Sequence, residues 1–277
     1  MVTLHMTDVE RSVAILARKE STSIRDVAVA LIEKLSSAGF RVYSGTSLKY
    51  GSAERAITIK DLKGLSPEIV VTVGGDGSLL WVLREMNDAT PVLGVNVGGR
   101  GILSEVRPEN VDEAVEKLRD ERYLIEERMR ISASIGATAL PPALNEVYLN
   151  RVSETRTSTY SISIGGYTVK QRMDGLMVST PTGSTGHSMS FGGPFIHPDT
   201  SVFLLMPVGS INRLPPIIVP AEPVEVVSDH DSVLAIDGQE EVVVKASEKV
   251  VIKKHERDAR FIRFKDKRLR QLENLGF

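Results

Sequence analysis

The sequence predicts two domains: an α/β domain with a parallel sheet, followed by an all-β, sandwich-like domain. The 277 residues exceed the roughly 150 residues of an average domain. Up to about residue 123, apolar strand-like runs alternate with segments of helical spacing, which is typical of βαβ units. From residue 124 to 254 the chain offers only short strand-like runs with prolines between them, which favours a sandwich or barrel.

The first domain is predicted to span residues 1–123 and to carry alternating strands and helices. Apolar residues at 24, 27, 28, 31, 32 and 35 have helical spacing, and Gly39 is expected to end that helix. The predicted strands are Ser12–Arg18, Phe40–Ser44, Glu68–Val73 and Pro91–Val95, and the predicted helices are Ser23–Ser37, Ser78–Asn87 and a segment that begins at Pro108.

The second domain is predicted to span residues 124–254 and to consist of strands. Its predicted strands are Asn145–Asn150, Thr157–Ile164, Thr168–Met173, Leu176–Ser179, Val202–Met206, Val224–Val227, Ser232–Ala235, Glu241–Lys245 and Lys249–Ile252. Residues 255–277 are expected to form a strand over 261–264 and a helix over Lys265–Leu275 that pack back on the first domain.

The composition excludes several classes of protein. The chain has no cysteine, which rules out a disulfide framework, a zinc ribbon, an iron–sulfur site and a cysteine nucleophile. The five histidines show no metal-ligand spacing, so no resident metal site is predicted. A net charge of −2 gives no reason to expect nucleic acid or an anionic membrane as partner. With no apolar run near the roughly 18 residues of a membrane span and no signal-like start, we expect a cytoplasmic protein.

Glycine is concentrated in two windows, with seven of the 22 glycines in 74–101 and seven in 165–193. The first window opens with Gly74-Gly75-Asp76-Gly77, which lies between a predicted strand and a predicted helix. Such a turn can point backbone N–H groups at a phosphate beside the positive end of the helix dipole. Asp76 fits a general base for a hydroxyl or a holder of Mg²⁺, although a plain Asp-Gly turn or a helix N-cap would use the same residues.

Other nucleotide and nucleophile motifs do not occur in the chain. The sequence contains neither the GxxxxGK[ST] pattern of P-loop NTPases nor the GxGxxG pattern of Rossmann dehydrogenases. The run from Gly186 to Ser190 resembles a GxSxG nucleophile elbow but lacks its last glycine.

Three more segments could contact a ligand. Gly98-Gly99-Arg100-Gly101 is a second turn at the same sheet edge, in which Arg100 could clamp a phosphate or remain solvated. Asn145-Glu146 offers groups for a base and for sugar hydroxyls. The run from Asp174 to Pro194 interleaves glycines with hydroxyls at 179, 180, 182, 184, 185, 188 and 190, which favours a loop that surrounds a sugar or phosphate.

Taken together, these motifs resemble the NAD kinase family. GGDG at 74–77, Asn145-Glu146 and DGLMVSTPTGSTGHS at 174–188 stand in that family's order and spacing, and GGRG at 98–101 and Asp237-Gly238-Gln239 also fit. The resemblance implies an α/β domain and a β-rich domain with the ligand between them. It also implies NAD as acceptor, ATP or inorganic polyphosphate with Mg²⁺ as donor system, and a homodimer or homotetramer.

The resemblance also suggests roles for individual residues. Asp76 resembles the base near the adenosine 2′-hydroxyl of NAD. The phosphate loop would include Gly74, Gly75 and Gly77, and NAD contacts would include Asn145, Glu146, Arg172, Asp174, Thr182, Thr185, His187, Ser190, Gly209, Ile211 and Gln239. Two positions depart from the family: His187 stands where tyrosine is usual, and Ile102 stands where phenylalanine is usual.

Two other functions are weighed against an NAD kinase. GGDG is shared with lipid and sugar kinases, against which the Asp174 motif argues. A non-catalytic NAD-sensing module could keep the same fold, but an intact Asp76 speaks against it.

Overall fold

The computed structural model describes residues 11–18, 21–48, 55–86, 90–99, 101–153, 155–266 and 269–275. The chain divides into two compact units, the first containing residues up to 126 together with 260–266 and 274–275, and the second containing 127–259 together with 269–273. The predicted fold class is confirmed, because the first unit is α/β with a parallel sheet and the second is built from antiparallel sheets.

Among the described residues, the first unit contains a seven-stranded sheet and four α-helices. Its strands are β1 (Ser12–Leu16), β2 (Arg41–Gly45), β3 (Arg55–Ile57), β4 (Ile69–Gly74), β5 (Val92–Asn96), β6 (Leu124–Arg128) and β19 (Ala259–Arg263), in the spatial order β3-β2-β1-β4-β5-β19-β6. Its helices are α1 (Thr22–Ser37), α2 (Leu62–Leu65), α3 (Asp76–Glu85) and α4 (Val111–Arg119).

Local sequence explains where α1 begins and ends. The Ser21 side chain caps the helix by accepting a hydrogen bond from the Ile24 N–H at 3.2 Å. The buried stripe of α1 contains Leu31 and Leu35, as the spacing predicts. Gly39 follows the helix with a φ of +90°, a conformation in which glycine is least strained.

The second unit holds two six-stranded antiparallel sheets that bury one apolar cluster between them. The first sheet is made of β11 (Tyr167–Met173), β10 (Ser158–Ile164), β15 (Val224–Ser228), β18 (Lys249–Lys254), β7 (Ile131–Ile135) and β8 (Thr138–Ala139). The second is made of β14 (Ile217–Pro220), β13 (Val202–Val208), β12 (Gly175–Ser179), β9 (Glu146–Arg151), β16 (Ser232–Ile236) and β17 (Glu240–Val244). A short helix, α5, covers His187–Ser190.

The C-terminal segment follows the expectation only in part. Its strand β19 joins the first sheet beside β5, as expected. The last helix, α6, begins at Arg270 rather than at Lys265. Residues 269–273 group with the second unit, where the buried Gln271 side chain donates a hydrogen bond to the Thr182 carbonyl, and residues 274–275 group with the first unit. Within the described part of the chain, no helix is long and apolar enough to cross a membrane.

Candidate active site

The GGDG turn joins the end of β4 to the start of α3. Gly74 has a φ of +148°, and a Cβ added there would lie 2.5 Å from the Ser78 Oγ, so the turn needs glycine at this position. Gly75 is the N-cap residue, and Asp76 is the first residue of the helix. Asp76 therefore lies at the positive end of the α3 dipole, where a carboxylate is stabilised.

The Asp76 carboxylate is held by the segment that follows β5. It accepts hydrogen bonds from the Ile102 N–H at 2.8 Å, the Leu103 N–H at 3.2 Å and the Ser104 hydroxyl at 3.0 Å. Since Gly75 occupies the N-cap position and Asp76 is the first residue inside the helix, the helix N-cap interpretation does not apply. A carboxylate offers about four acceptor positions, so the three bonds leave one for an incoming hydroxyl proton.

The second glycine turn lies at the same sheet edge. Gly74 on β4 pairs with Asn96 on β5, and the Val97 N–H donates to the Gly74 carbonyl at 3.1 Å. Gly101 has a φ of +64°, and a Cβ there would lie 2.4 Å from the Asn96 side-chain nitrogen. The left-handed backbone and the nearby Asn96 side chain therefore favour glycine at this position, while the Arg100 prediction lies outside the described residues.

In the second unit, Asp237 fixes the backbone of the Asn145-Glu146 motif. Its carboxylate accepts hydrogen bonds from the N–H groups of Leu144 at 2.9 Å, Asn145 at 2.8 Å and Glu146 at 3.1 Å. Its own N–H donates to the Glu146 carbonyl at 3.0 Å, and its φ of +49° places it in a left-handed turn. From the sequence, Gln239 is predicted as an NAD contact and Asp237 receives no role of its own. The Asp237-Gly238 dipeptide does predict a turn, but the N–H groups that Asp237 binds lie 91 to 93 positions away in the chain.

Glu146 is a buried acid beside this cluster. Only 5% of the residue is exposed, and its Oε2 makes no hydrogen bond to any described residue. Burial, with a further contribution from the charge of Asp237, raises the pKa of Glu146 to about 8. At neutral pH Glu146 therefore carries a proton and can donate as well as accept a hydrogen bond, which suits a ligand hydroxyl.

The hydroxyl-rich loop uses most of its hydroxyl protons to hold its own backbone. Four hydroxyls donate to carbonyls within the loop: Ser184 to Pro181, Thr185 to Thr182, Ser188 to Gly183 and Ser190 to His187. The Thr180 hydroxyl donates to the Leu144 carbonyl, which precedes the Asn145-Glu146 motif. In this structure these five hydroxyl protons serve carbonyls of the protein itself, and the hydroxyls of Thr180 and Ser184 also accept backbone hydrogen bonds from Gly183 and Ile196. Most of its hydroxyls therefore stabilise the fold of the loop, and contact with a sugar or phosphate stays a prediction.

Two glycines bring the hydroxyl-rich loop against the Asn145-Glu146 motif. A Cβ at Gly183 would lie 2.1 Å from the Asn145 carbonyl oxygen, and one at Gly186 would lie 3.5 Å from the Glu146 Oε2. The Thr180 N–H also donates to the Asn145 carbonyl at 2.8 Å. The loop, the Asn145-Glu146 motif and the Asp237 turn therefore form one arrangement.

A cavity of about 450 Å³ adjoins this arrangement and is lined by Glu146, Tyr148, His187 and Gly238, among others. The Tyr148 and His187 rings meet edge to face with centroids 5.9 Å apart, and the centroid of the Phe191 ring lies 5.1 Å from that of His187. The volume is that of a small-molecule site. His187 keeps an aromatic wall at the position where it departs from the resembled family.

Asp174 forms a second polar centre in the same unit. Its carboxylate pairs with Arg151 at 2.6 Å, and a Cβ at Gly209 would lie 2.3 Å from its Oδ2. A second cavity, of about 300 Å³, is lined by Arg151 and Asp174. Sequence reasoning missed Arg151, because its partner lies 23 positions away.

Arg172 and Ile211 line neither of the two cavities. Arg172 is exposed and donates to the Thr157 hydroxyl at 3.2 Å, while 54% of Ile211 is exposed. Among the predicted contact residues of the second unit, Glu146 and His187 line the larger cavity and Asp174 lines the smaller one. The other predicted contacts also line neither cavity: Asn145, Thr182, Thr185, Ser190, Gly209 and Gln239.

Comparison with known proteins agrees with this geometry. Residues 13–123 match the ATP-NAD kinase N-terminal domain, and residues 144–264 match the ATP-NAD kinase C-terminal domain. The chain is 33% identical to the NAD kinase of Thermoplasma volcanium, over 92% of this chain and 93% of that one. It is 31% identical to the NAD kinase of Methanosarcina acetivorans, over 88% of each chain.

Two solved structures share the fold. A crystal structure of an NAD kinase from Archaeoglobus fulgidus in complex with ATP matches with a TM-score of 0.77 and 25% identity, over 96% of this chain and all of that one. The yeast NADH kinase complexed with NADH matches in fold with a TM-score of 0.87 and 19% identity, over 98% of this chain and 89% of that one. The chain therefore belongs to the NAD kinase family and is a phosphotransferase.

Proposed function

We propose that this enzyme transfers the terminal phosphoryl group of ATP, or of inorganic polyphosphate, to the 2′-hydroxyl of the adenosine ribose of NAD, giving NADP. The observation that carries the proposal is the Asp76 carboxylate, fixed by three donors with one acceptor position left. The ribose oxygen would attack the terminal phosphorus, the bond to the leaving phosphate would break, and Asp76 would take the hydroxyl proton.

The donor would bind at the glycine turns of the first unit. Backbone N–H groups near Gly74, Gly75 and Gly77 and the start of α3 suit donor phosphates, and we assign Arg100 to the same anion. Mg²⁺ would arrive bound to the donor and neutralise its charge. It typically binds through phosphates, waters and one or two carboxylates.

NAD would bind through the second unit. A protonated Glu146 can share hydrogen bonds with ribose hydroxyls, and Asn145 can pair with the base. We assign Gly209 and Ile211 to the lining of the nicotinamide or adenine end of NAD. The remaining NAD contacts are assigned to Arg172, Asp174, Thr182, Thr185, His187, Ser190 and Gln239. We also propose a homodimer or homotetramer in the cytoplasm; support for both is the family resemblance, and light scattering tests the assembly.

Product analysis tests this function. Purified protein is incubated with NAD, Mg²⁺ and either ATP or polyphosphate, and an NADP-specific dehydrogenase identifies the 2′-phosphate isomer. We expect NADP to form with at least one donor. Phosphate on another hydroxyl, phosphorylation of a lipid alcohol or sugar in place of NAD, or NAD binding without any product would refute the proposal.

The catalytic role of Asp76 is tested with Asp76→Asn. Loss of a general base should lower kcat by roughly 10²- to 10⁴-fold, with the KM for NAD little changed. Asp112→Asn is the matched control, since Asp112 is an exposed aspartate in the first turn of α4. Turnover of D76N close to that of D112N would remove Asp76 from the mechanism.

A further inference from the structure

Arg263 lies at the end of β19, and its side chain is buried, with 3% exposed. Its Nη1 donates to the Leu103 carbonyl at 2.7 Å, and its Nε donates to Glu126 at 2.5 Å. The guanidinium also lies 3.5 Å from Glu105 and stacks 4.8 Å from the centre of the Phe261 ring. The guanidinium is therefore fixed on several sides within the first unit.

The segment that Arg263 holds is the one that holds Asp76. The N–H of Leu103 binds the Asp76 carboxylate, while the carbonyl of the same residue binds Arg263. Glu105, two residues further on, accepts a hydrogen bond from the Phe264 N–H at 2.9 Å. Residues 103–105 are thus held at two points, by the side chain of Arg263 and by the backbone N–H of Phe264.

We propose that Arg263 is a positioning residue for phosphoryl transfer: it fixes residues 102–104 so that their N–H and hydroxyl groups aim the Asp76 carboxylate. The proposal rests on the proposed role of Asp76 as base. A fixed guanidinium suits this task because its planar fork can bind a carbonyl and a carboxylate at once. Lysine keeps the charge near Glu105 and Glu126 but cannot reproduce that fork.

Arg263→Lys tests the proposal, with Arg11→Lys as matched control. Arg11 is also an arginine of the first unit that joins a glutamate, Glu68, to backbone carbonyls, those of Leu118 and Arg119. We expect R263K to lower kcat by roughly 10- to 100-fold, as misplacement of a reacting group does, with the KM for NAD changed less than about twofold. R11K should leave both constants near those of the unaltered enzyme. Unchanged kcat in R263K would overturn the proposal.

A double-mutant cycle separates positioning from a general structural role. If Arg263 acts through Asp76, R263K should lower kcat by less than about threefold once D76N is present. An equal fall in both backgrounds would overturn the proposal. If R263K does not fold, Glu126→Gln loosens the same guanidinium and should give a smaller loss with the same dependence on Asp76.

Hydrogen exchange provides a readout that does not depend on the reaction. R263K should speed exchange of the Ile102 and Leu103 N–H groups, and R11K should not. If exchange is faster in R263K but D76N keeps full activity, then Arg263 does hold residues 102–104, but Asp76 is not the base. Unchanged exchange would mean that Arg263 does not hold them.

Discussion

Replacing Glu146 by glutamine should remove a loss of stability that the unaltered protein shows as the pH rises. The loss arises because the buried acid keeps its proton in the folded state to a higher pH than in the unfolded chain. Burial raises the pKa of Glu146 from its ordinary 4.5 to about 8. Between these values the folded protein binds a proton that the unfolded chain does not. Folding therefore takes up a proton, and the free energy of unfolding falls as the pH rises through this window.

The size of the effect follows from the shift. Where folding takes up one full proton, each pH unit changes the free energy of unfolding by about 1.4 kcal/mol. Near pH 5 the unfolded chain still binds some of this proton, and near pH 7 the folded protein has lost some of it. The change between pH 5 and pH 7 is therefore about 2.5 kcal/mol. Glutamine has nearly the same shape and does not titrate in this range. The difference in unfolding free energy between E146Q and the unaltered protein should therefore shift by about 2.5 kcal/mol in favour of E146Q over these two units.

Urea unfolding at pH 5, 6 and 7, without NAD, measures this difference. Glu241→Gln is the matched control, since Glu241 lines the same cavity but is exposed to solvent. We expect the E241Q curve to run parallel to that of the unaltered protein. If E146Q also runs parallel to it, Glu146 is ionised in the folded state and the reasoning from burial is wrong.

Two further substitutions test how the site is held. Asp237→Asn keeps a residue that tolerates left-handed backbone but replaces an acceptor oxygen by a donor; it should cost about 1 to 3 kcal/mol and lower the pKa of Glu146, so that urea unfolding shows a weaker pH dependence. Gly183→Ala would place a Cβ 2.1 Å from the Asn145 carbonyl and should weaken NAD binding in calorimetry by at least tenfold, a change of about 1.4 kcal/mol. Gly64→Ala, where a Cβ meets no atom within 4 Å, is its control, and equal NAD affinity in both variants would contradict the prediction.

Much of the fold could be predicted because apolar periodicity marks buried elements. The starts of β1, β4 and β5 were each predicted to within one residue. By contrast β3 has three residues, and β14 is mostly exposed, so neither leaves a pattern in the sequence. The sequence could not show either that Gln271 of the last helix donates a hydrogen bond to the Thr182 carbonyl, because these residues lie 89 positions apart in the chain.

The candidate site was predicted by motif but not by geometry. Asp76, Asp174 and Asp237 all precede glycine, and the dipeptide alone predicts a turn for each. In the structure Asp76 begins a helix, Asp174 pairs with Arg151, and Asp237 occupies a left-handed turn. These differences depend on partners up to 93 residues away in the chain, which local pattern cannot reveal.

Each unit contains an aspartate that accepts three hydrogen bonds from one neighbouring segment, but the two aspartates differ in exposure. Asp76 and Asp237 each gather three donors from a neighbouring segment, and each thereby fixes that segment. Asp237 is 7% exposed, so its charge acts on Glu146, whose pKa it helps to raise. Asp76 is half-buried and keeps one acceptor position, so its carboxylate remains open to a substrate hydroxyl. The two aspartates thus differ in exposure. This difference supports the proposed role of Asp76 in proton transfer, while the buried Asp237 helps to raise the pKa of a neighbouring acid.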